Sequence, residues 1–287
     1  MERARKIAAQ GMMPILYLFD HPFKEPPIPG VTEEDCRRAE ADTALFVLAR
    51  NSGEGKDRRP VAGEYGLFSE EEEAIRTLRA NFRRVILILN VGSVIETGFL
   101  CGEASADAIL LMSQAGNIGG HALTDVLTGK VTPGGKLTTT WAKRYEDYPG
   151  ASAFSHMNGD VDDEYYEEGI YVGYRYFDSF NITPAYPFGF GLSYTTFRTE
   201  TEKVEADEER VSLQVKVTNT GNRYPGKEVV QVYCSAPSGK LEKPYRELAA
   251  YKVPCPITSG ELQACAGRIL KVIAGSSAYE EAGAHQS

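Results

Sequence analysis

Thr43-Ala-Leu-Phe-Val-Leu-Ala49 is a short apolar run that leads into the turn-forming residues Asn51-Ser-Gly53. An apolar run of this length predicts a β-strand that is buried on both faces and delivers a loop at its carboxyl end. A helix is predicted after that loop, because apolar residues recur at helical spacing between residues 74 and 82. Ser69 is predicted to be the N-cap of this helix, with the Glu72 carboxylate reaching back to it in a capping box.

The same combination of strand, loop and helix signals recurs further along the chain. Val85-Ile-Leu-Ile-Leu-Asn90 is rich in β-branched residues, and Asp107-Ala-Ile-Leu-Leu-Met112 precedes a glycine-rich loop and a helix predicted from about His121 to Leu127. This repetition predicts a parallel sheet covered by helices. Because such sheets bind their ligands where the strands end, the candidate site comprises three segments, Asn51 to Arg58, Asn90 to Ser93 and Gln114 to Gly120.

Two other patterns follow the predicted sheet. Residues from Trp141 to Tyr194 are rich in Tyr, Gly and Pro, which predicts an extended connection with Gly169–Tyr176 as its most strand-like part. From Thr195 onward, Val211–Thr218 alternates apolar and polar residues and Glu228–Tyr233 forms another strand pattern, as in an antiparallel β-sandwich. The predicted fold class is therefore α/β, with a parallel-sheet α/β sandwich domain followed by a partial antiparallel β-sandwich.

The aromatic run at Tyr171, Tyr174, Tyr176 and Phe177 permits two interpretations. These side chains form either a platform for stacking a sugar ring or a packing surface between this segment and its neighbours. We favour packing, because tyrosines at such surfaces bury area while their hydroxyl groups find partners.

Composition and charge exclude several classes of function. The 287 residues include 31 basic and 40 acidic ones, for a net charge of −9, whereas a surface that follows nucleic acid needs a basic excess. No apolar run approaches the roughly 18–20 residues of a membrane span, and no signal-peptide pattern precedes Pro14. We therefore expect neither nucleic acid nor membrane as a partner, and a cytoplasmic location.

Motifs for metal and nucleotide binding are also missing from the sequence. The five cysteines form no C-x-x-C pair and the four histidines lie far apart, which argues against a metal site. The chain contains no P-loop, no complete G-x-G-x-x-G and no G-x-S-x-G. We expect no cofactor and no serine esterase chemistry.

The remaining chemical candidate is Glu54, a carboxylate between Gly53 and Gly55 at the mouth of the first predicted strand. The two glycines let the backbone turn sharply and approach a ligand closely. The local pattern leaves two interpretations open. Glu54 is either a solvated loop carboxylate, which is the commoner case, or a functional group projected beyond the sheet.

Several long motifs, in one order, resemble the carboxyl-terminal half of glycoside hydrolase family 3. Those that carry the resemblance to its α/β domain are Asn51–Arg58, Val85–Ser93, Ala122–Gly129 with Pro133–Leu137, and Tyr166–Tyr176 through Tyr186–Tyr194. The later motifs Val217–Gly221, Gly226–Tyr233 and Lys243–Leu248 resemble the family's fibronectin type III-like domain.

The resemblance implies a β-glucosidase-type enzyme that hydrolyses β-linked glucosides with retention of configuration. In that family a (β/α)8 barrel carries the nucleophilic Asp, and the α/β domain contributes the general acid/base, whose matching position here is Glu54. Asp57 and Arg58 complete the same motif, as residues that order the loop and lie near the bound sugar.

A barrel of about 250 residues does not fit into the 40 residues that precede Ala41. We therefore expect a truncated α/β domain: a remnant N-terminal helix and linker over residues 1–40, the α/β domain with its aromatic extension over 41–194, and an incomplete fibronectin III-like domain over 195–287. The first strands of the family's sheet are not recognised before Ala41, which predicts an exposed sheet edge.

Two hypotheses follow for the function. In the first, the chain supplies the acid/base domain of a glycosidase whose barrel and nucleophile come from a separate polypeptide, and it is inactive alone. In the second, the chain is a non-catalytic product that binds saccharide or associates with a partner protein.

Overall fold

The computed structural model describes residues 28–50, 57–98, 102, 106–160, 162–163, 165–207, 210–237 and 239–252. The chain forms two compact units, one of residues 1–120 and 141–165 and the other of residues 121–140 and 166–287. The predicted N-terminal helix, Glu54 and the tail beyond residue 252 lie outside the described residues. The predicted domain boundaries near residues 41 and 195 stay predictions.

The first unit contains most of the helices and the parallel strands. In chain order, its elements are α1 (Glu33–Arg38), β1 (Thr43–Arg50), α2 (Ser69–Asn81), β2 (Arg84–Val91), β3 (Ala108–Leu111), the start of α3 (Gly119–Leu127) and short 3-10 turns at Tyr145–Asp147 and Phe154–His156. Helix α3 continues into the second unit.

The prediction of a parallel sheet is confirmed. β2 lies between β1 and β3, and both pairs are parallel. On one face of β2, Val85 and Leu87 are fully buried, and Ile75 of α2 is equally buried where this helix packs against β1 and β2. The apolar runs thus form the core, which orders the carboxyl ends of β1 and β2 that hold the candidate site.

The other face of the sheet is open along β1, which pairs with β2 alone among the described strands. Leu45 and Val47 are each 52% exposed on that face. Strands of parallel sheets are normally covered on both faces. The predicted exposed edge of the sheet stays a prediction, because residues 1–27 lie outside the described part of the chain.

The predicted N-cap of α2 is wrong by one residue. The helix begins at Ser69, its N-cap is Phe68, and the backbone N–H of Phe68 donates to Oε2 of Glu71 at 2.8 Å. Glu71, rather than Glu72, caps the helix because it is the glutamate that faces the core.

The second unit contains the antiparallel strands β4 (Phe197–Ala206), β5 (Val211–Asn219), β6 (Val230–Cys234) and β7 (Glu247–Lys252). β4 pairs with β5 and β6 pairs with β7, which confirms the antiparallel class. The strand-like segment predicted at Gly169–Tyr176 instead runs into helix α4 (Tyr174–Ser179). Gly169 and Gly173 have φ values of 54° and 59°, which interrupt extended backbone before the helix begins.

The described residues show neither a membrane-spanning helix nor a metal cluster. None of their helices has both the length and the apolar character needed to cross a bilayer. The same residues contain no group of three or more His, Cys, Asp or Glu side chains arranged to hold a metal ion. Two free cysteines are described, the buried Cys36 and the exposed Cys234.

Candidate active site at the carboxyl end of the parallel sheet

Glu54 lies in residues 51–56, which follow β1 directly; this segment, predicted from the sequence to be a loop, is called the Glu54 loop below. β1 ends at Arg50 and the described chain resumes at Asp57, so residues 51–56 lie outside the description while both flanks lie within it. These flanks show how the chain leaves the sheet and how it returns.

Arg50 is held in a buried ion pair where the chain leaves β1. Arg50 is 2% exposed and Glu71 is 4% exposed, and the guanidinium binds both carboxylate oxygens, at 2.8 Å and 2.6 Å. Nη2 of Arg50 also donates to the Gly66 carbonyl at 3.0 Å, and the Phe68 ring centroid lies 5.8 Å from the guanidinium carbon. Two parallel hydrogen bonds fix both the distance between the guanidinium and the carboxylate and their relative orientation. The end of β1 is therefore fixed to the start of α2.

Arg58 holds the returning flank. Its Nη2 donates to the carbonyl of Val94 at 2.7 Å, and Nη1 contacts the carbonyl of Glu64. Burial, and next to it the positive charge of Arg50, lower the pKa of the Arg58 guanidinium from its ordinary value. Arg58 therefore ties the chain after the Glu54 loop to the turn that follows β2, at Val94, the residue directly after the predicted segment Asn90 to Ser93.

The segment after Arg58 forms a compact turn. Arg59 donates from its backbone N–H to Oε2 of Glu64 at 2.8 Å and from Nη2 to Oε1 at 2.6 Å. Gly63 has a φ of 80°, and a Cβ at this position would collide with the ring of Phe68. The turn needs glycine here for both reasons.

Three tyrosines that the sequence analysis did not select lie beside the returning flank. The rings of Tyr65 and Tyr145 meet edge to face with centroids 5.3 Å apart, and Tyr148 packs against Tyr145 at 6.4 Å. Burial raises the pKa of Tyr145, and the negative charge of Asp57 adds to the effect. The Asp57 carboxylate is therefore one of the charges that act on the Tyr145 phenol. The local sequence around Tyr145 carried no signal for this effect, because the residue belongs to the segment predicted to be a connection.

A further carboxylate, Glu96, faces the same turn. Its backbone N–H donates to the carbonyl of Tyr65 at 2.9 Å, and a Cβ added to Gly66 would lie 3.2 Å from Oε2 of Glu96. Burial raises the pKa of Tyr65, with smaller contributions from neighbouring Tyr148 and Glu96. Glu96 thus lies against the turn after the Glu54 loop, at Tyr65 and Gly66.

The third predicted segment, Gln114 to Gly120, is a glycine-dependent turn at the start of α3. Gly116 has a φ of 70°, and the backbone N–H of Gly119 donates to its carbonyl at 3.1 Å. Ile118 is 71% exposed at the tip. This segment follows β3 as predicted, and none of the contacts described above reaches it.

Comparison with known proteins gives a family and a set of relatives. Residues 30–174 match the glycosyl hydrolase family 3 C-terminal domain. Beta-glucosidase A of Butyrivibrio fibrisolvens is 38% identical in a match that covers 84% of this chain and 33% of that protein. A beta-glucosidase of Ruminococcus albus is 42% identical over 218 residues, which cover 75% of this chain and 22% of that protein.

Solved structures of beta-glucosidases have a fold similar to that of this chain. Beta-glucosidase 3B from Thermotoga neapolitana, solved in complex with glucose, superposes with a TM-score of 0.75 at 41% identity, covering 80% of this chain and 33% of that one. A beta-glucosidase from Paenibacillus barengoltzii gives a TM-score of 0.74 at 34% identity, and the match covers 87% of this chain and 28% of that one. The parallel and antiparallel sheets match the α/β sandwich and β-sandwich domains of these structures. The chain spans about a third or less of the length of these relatives.

Proposed function

The chain belongs to glycosyl hydrolase family 3, and from that premise we propose that it forms the acid/base side of a β-glucosidase active site. Glu54 is the proposed general acid and base. The observation that carries the proposal is the fixing of both flanks of residues 51–56, by Arg50 with Glu71 and by Arg58 with Val94. A loop fixed at both ends, where parallel strands end, is a suitable mount for a catalytic carboxylate.

The proposed reaction uses two carboxyl groups. A nucleophilic carboxylate attacks the anomeric carbon while the bond from that carbon to the leaving oxygen breaks, and the Glu54 carboxyl gives its proton to that oxygen. In the second step the Glu54 carboxylate takes a proton from water, whose oxygen attacks the same carbon and releases the nucleophile. The products are a free sugar with retained configuration and the alcohol, with both carboxyl groups restored.

The nucleophile is proposed to come from a separate catalytic barrel domain. A retaining mechanism needs the two carboxyl groups about 5–5.5 Å apart. The barrel must therefore dock close to the Glu54 loop, and the chain of residues 1–287 by itself is proposed to be inactive on β-glucosides.

Asp57 and Arg58 have different proposed roles. Arg58 is half-buried and donates to backbone carbonyls, which supports a role in ordering the loop. Asp57 is exposed and directly precedes Arg58, which supports a role in accepting hydrogen bonds from sugar hydroxyls. Tyr145 and Glu96 are added as candidate sugar-binding groups, because they lie around the same turn.

The test is hydrolysis of 4-nitrophenyl β-glucoside by the purified chain, alone and mixed with a family 3 barrel domain. We expect no turnover alone and turnover in the mixture. Glu54→Gln should then reduce kcat by about 10²–10⁴-fold, since general acid catalysis contributes that much. Glu70→Gln is the matched control, because Glu70 is exposed in the first turn of α2, and this substitution should leave kcat unchanged.

Two results would contradict the proposal. Turnover by the chain alone would show that the nucleophile lies within residues 1–287. Full activity of the Glu54→Gln mixture would show that another group protonates the leaving oxygen.

A further inference from the structure

The second unit carries an exposed surface of aromatic side chains. Phe180 is 53% exposed directly after α4, and Tyr245 is 65% exposed just before β7. Together with Tyr171, Tyr176 and Glu242, these residues are called the aromatic surface below. Exposed aromatic patches with polar groups at their edge commonly mark ligand sites.

Four members of the aromatic surface are joined by direct side-chain contacts, and Tyr245 is placed beside them by its backbone bond to Ser179, the neighbour of Phe180. The Phe180 ring lies 4.9 Å from Tyr171 and 5.0 Å from Tyr176, measured between centroids. The Tyr171 hydroxyl donates to Oε1 of Glu242 at 2.8 Å. A carboxylate and a hydroxyl group are thus paired beside an exposed ring.

The backbone beneath the aromatic surface is fixed at three points. The N–H of Tyr245 donates to Oγ of Ser179 at 2.9 Å. Arg246 binds Oδ2 of Asp178 at 2.7 Å, and the N–H of Leu248 donates to the hydroxyl of Tyr174 at 2.7 Å. A rigid mount for rings with few rotatable bonds reduces the entropy lost when a ligand binds.

Packing accounts for part of this aromatic run and leaves the rest exposed. Tyr174 contacts Phe188 and Tyr233, and Phe177 is 2% exposed, so these two side chains serve the core as the sequence analysis favoured. Phe180 and Tyr245 remain open although their backbone is fixed.

We propose that the aromatic surface is a saccharide-binding site that takes β-linked gluco-oligosaccharides. Aromatic rings stack on the apolar C–H faces of pyranose rings, and the Glu242 carboxylate can accept hydrogen bonds from sugar hydroxyls. The saccharide class rests on the proposed function. A ring surface edged by a carboxylate and a tyrosine hydroxyl suits a polyhydroxylated ligand better than an aliphatic protein face.

The test is calorimetric titration of the full chain with cellotetraose and with laminaritetraose. We expect saturable binding of at least one of them. Phe180→Ala combined with Tyr245→Ala should weaken it by about tenfold or more, because two stacking contacts are lost. Tyr251→Ala is the matched control, since this β7 tyrosine is 62% exposed and outside the aromatic surface, and it should leave the affinity unchanged.

Phe180→Leu distinguishes loss of the ring from loss of the fold. Leucine keeps apolar contact with Tyr171 and Tyr176 but lacks a ring face, so folding should persist, as checked by circular dichroism, while affinity falls. Phe180→Tyr should restore binding, because it restores the ring.

Three results would overturn the proposal. One is the absence of saturable binding at the solubility limit of both oligosaccharides. Another is affinity unchanged by the Phe180 and Tyr245 substitutions. The third is binding that Glu54→Gln abolishes and the aromatic substitutions do not, which would assign it to the Glu54 loop. Because the titration needs neither a barrel nor turnover, its outcome is independent of the hydrolysis test.

Discussion

Arg50 and Glu71 form a bidentate ion pair that joins the last residue of β1 to the first turn of α2, with both side chains almost fully buried. Glu71 also accepts the backbone N–H of Phe68 at 2.8 Å. The Glu71 carboxylate thus caps α2 and neutralises Arg50, the residue directly before the Glu54 loop.

Breaking this pair on one side should strongly destabilise the first unit. Glu71→Gln leaves Arg50 buried without a counter-charge, so we expect the free energy of unfolding to fall by about 3–5 kcal/mol in urea titrations. Glu72→Gln is the matched control on the same helix, where Arg76 and Glu72 form a partly exposed pair at 2.8 Å. Glu72→Gln should lower the free energy of unfolding by at most about 0.5 kcal/mol. Equal effects of the two substitutions would contradict the buried geometry.

Replacing both Arg50 and Glu71 should destabilise the protein less than replacing Glu71 alone. In Arg50→Met/Glu71→Met no charge remains buried, and apolar pairs of similar volume often equal a buried ion pair in stability. We expect the double variant to be more stable than Glu71→Gln in the same titration. A double variant that is less stable would show that the hydrogen bonds to Gly66 and Phe68 outweigh the charge effect.

Arg58→Met should loosen the returning flank of the Glu54 loop. The substitution removes the charge-assisted bond to the Val94 carbonyl, which contributes about 1.5–3 kcal/mol. Amide hydrogen exchange should accelerate in residues 57–66 and 92–96 and stay unchanged in β3. Arg59→Gln is the control, because the Arg59 side chain is 55% exposed and solvent screens its ion pair with Glu64. Unchanged exchange in Arg58→Met would contradict the role of Arg58 as a tie.

Stability should decrease at alkaline pH because of the buried Tyr65. Burial raises the pKa of this phenol above its ordinary value of 10.0, so the unfolded chain loses the proton at a lower pH than the folded one. The stabilisation is therefore complete below pH 10 and falls as pH rises above it, by up to about 1.4 kcal/mol for each pH unit. Urea titrations between pH 8 and 11 should show a shallower loss for Tyr65→Phe than for the unchanged chain. Tyr166→Phe is the control, because Tyr166 is 82% exposed, and its stability should fall with pH as steeply as that of the unchanged chain. An equally steep fall in Tyr65→Phe would show that Tyr65 does not contribute.

Gly191→Ala should destabilise the second unit. A Cβ at Gly191 would collide with the carbonyl oxygen of Gly135, and overpacking of this kind costs about 1–3 kcal/mol. Gly135→Ala is the control, because a Cβ there meets nothing within 4 Å. Thermal unfolding of the two variants tests the difference. A tolerated Gly191→Ala would contradict the close approach of the two segments.

This close approach also explains why several sequence motifs occur together. Lys136 donates to the Gly191 carbonyl at 2.7 Å and pairs with Glu228 at 2.9 Å, while Leu137 donates to the Phe190 carbonyl at 2.8 Å. Three motifs that are far apart in the chain therefore meet at one lysine. The resemblance to the family placed these motifs in order, but it did not show that they touch.

The apolar runs were sufficient to predict β1, β2, β3 and their parallel arrangement, and the alternation at Val211–Thr218 predicted β5 within one residue. These are local properties, because burial on one face or on both faces is encoded in the order of apolar and polar residues. Helix α4 was missed, since its six residues are too few to be stable by local propensity and are held by Arg246, Leu248 and Tyr245.

The amino-acid sequence was sufficient to predict the fold class, the ends of β1 and β2 and the place of Glu54 in a family motif. That Glu71 faces Arg50 and that Arg58 reaches Val94 depends on tertiary packing alone. Each of these pairs joins residues far apart in the chain, and such contacts form when apolar strands and helices pack, a process that no local pattern of residues encodes.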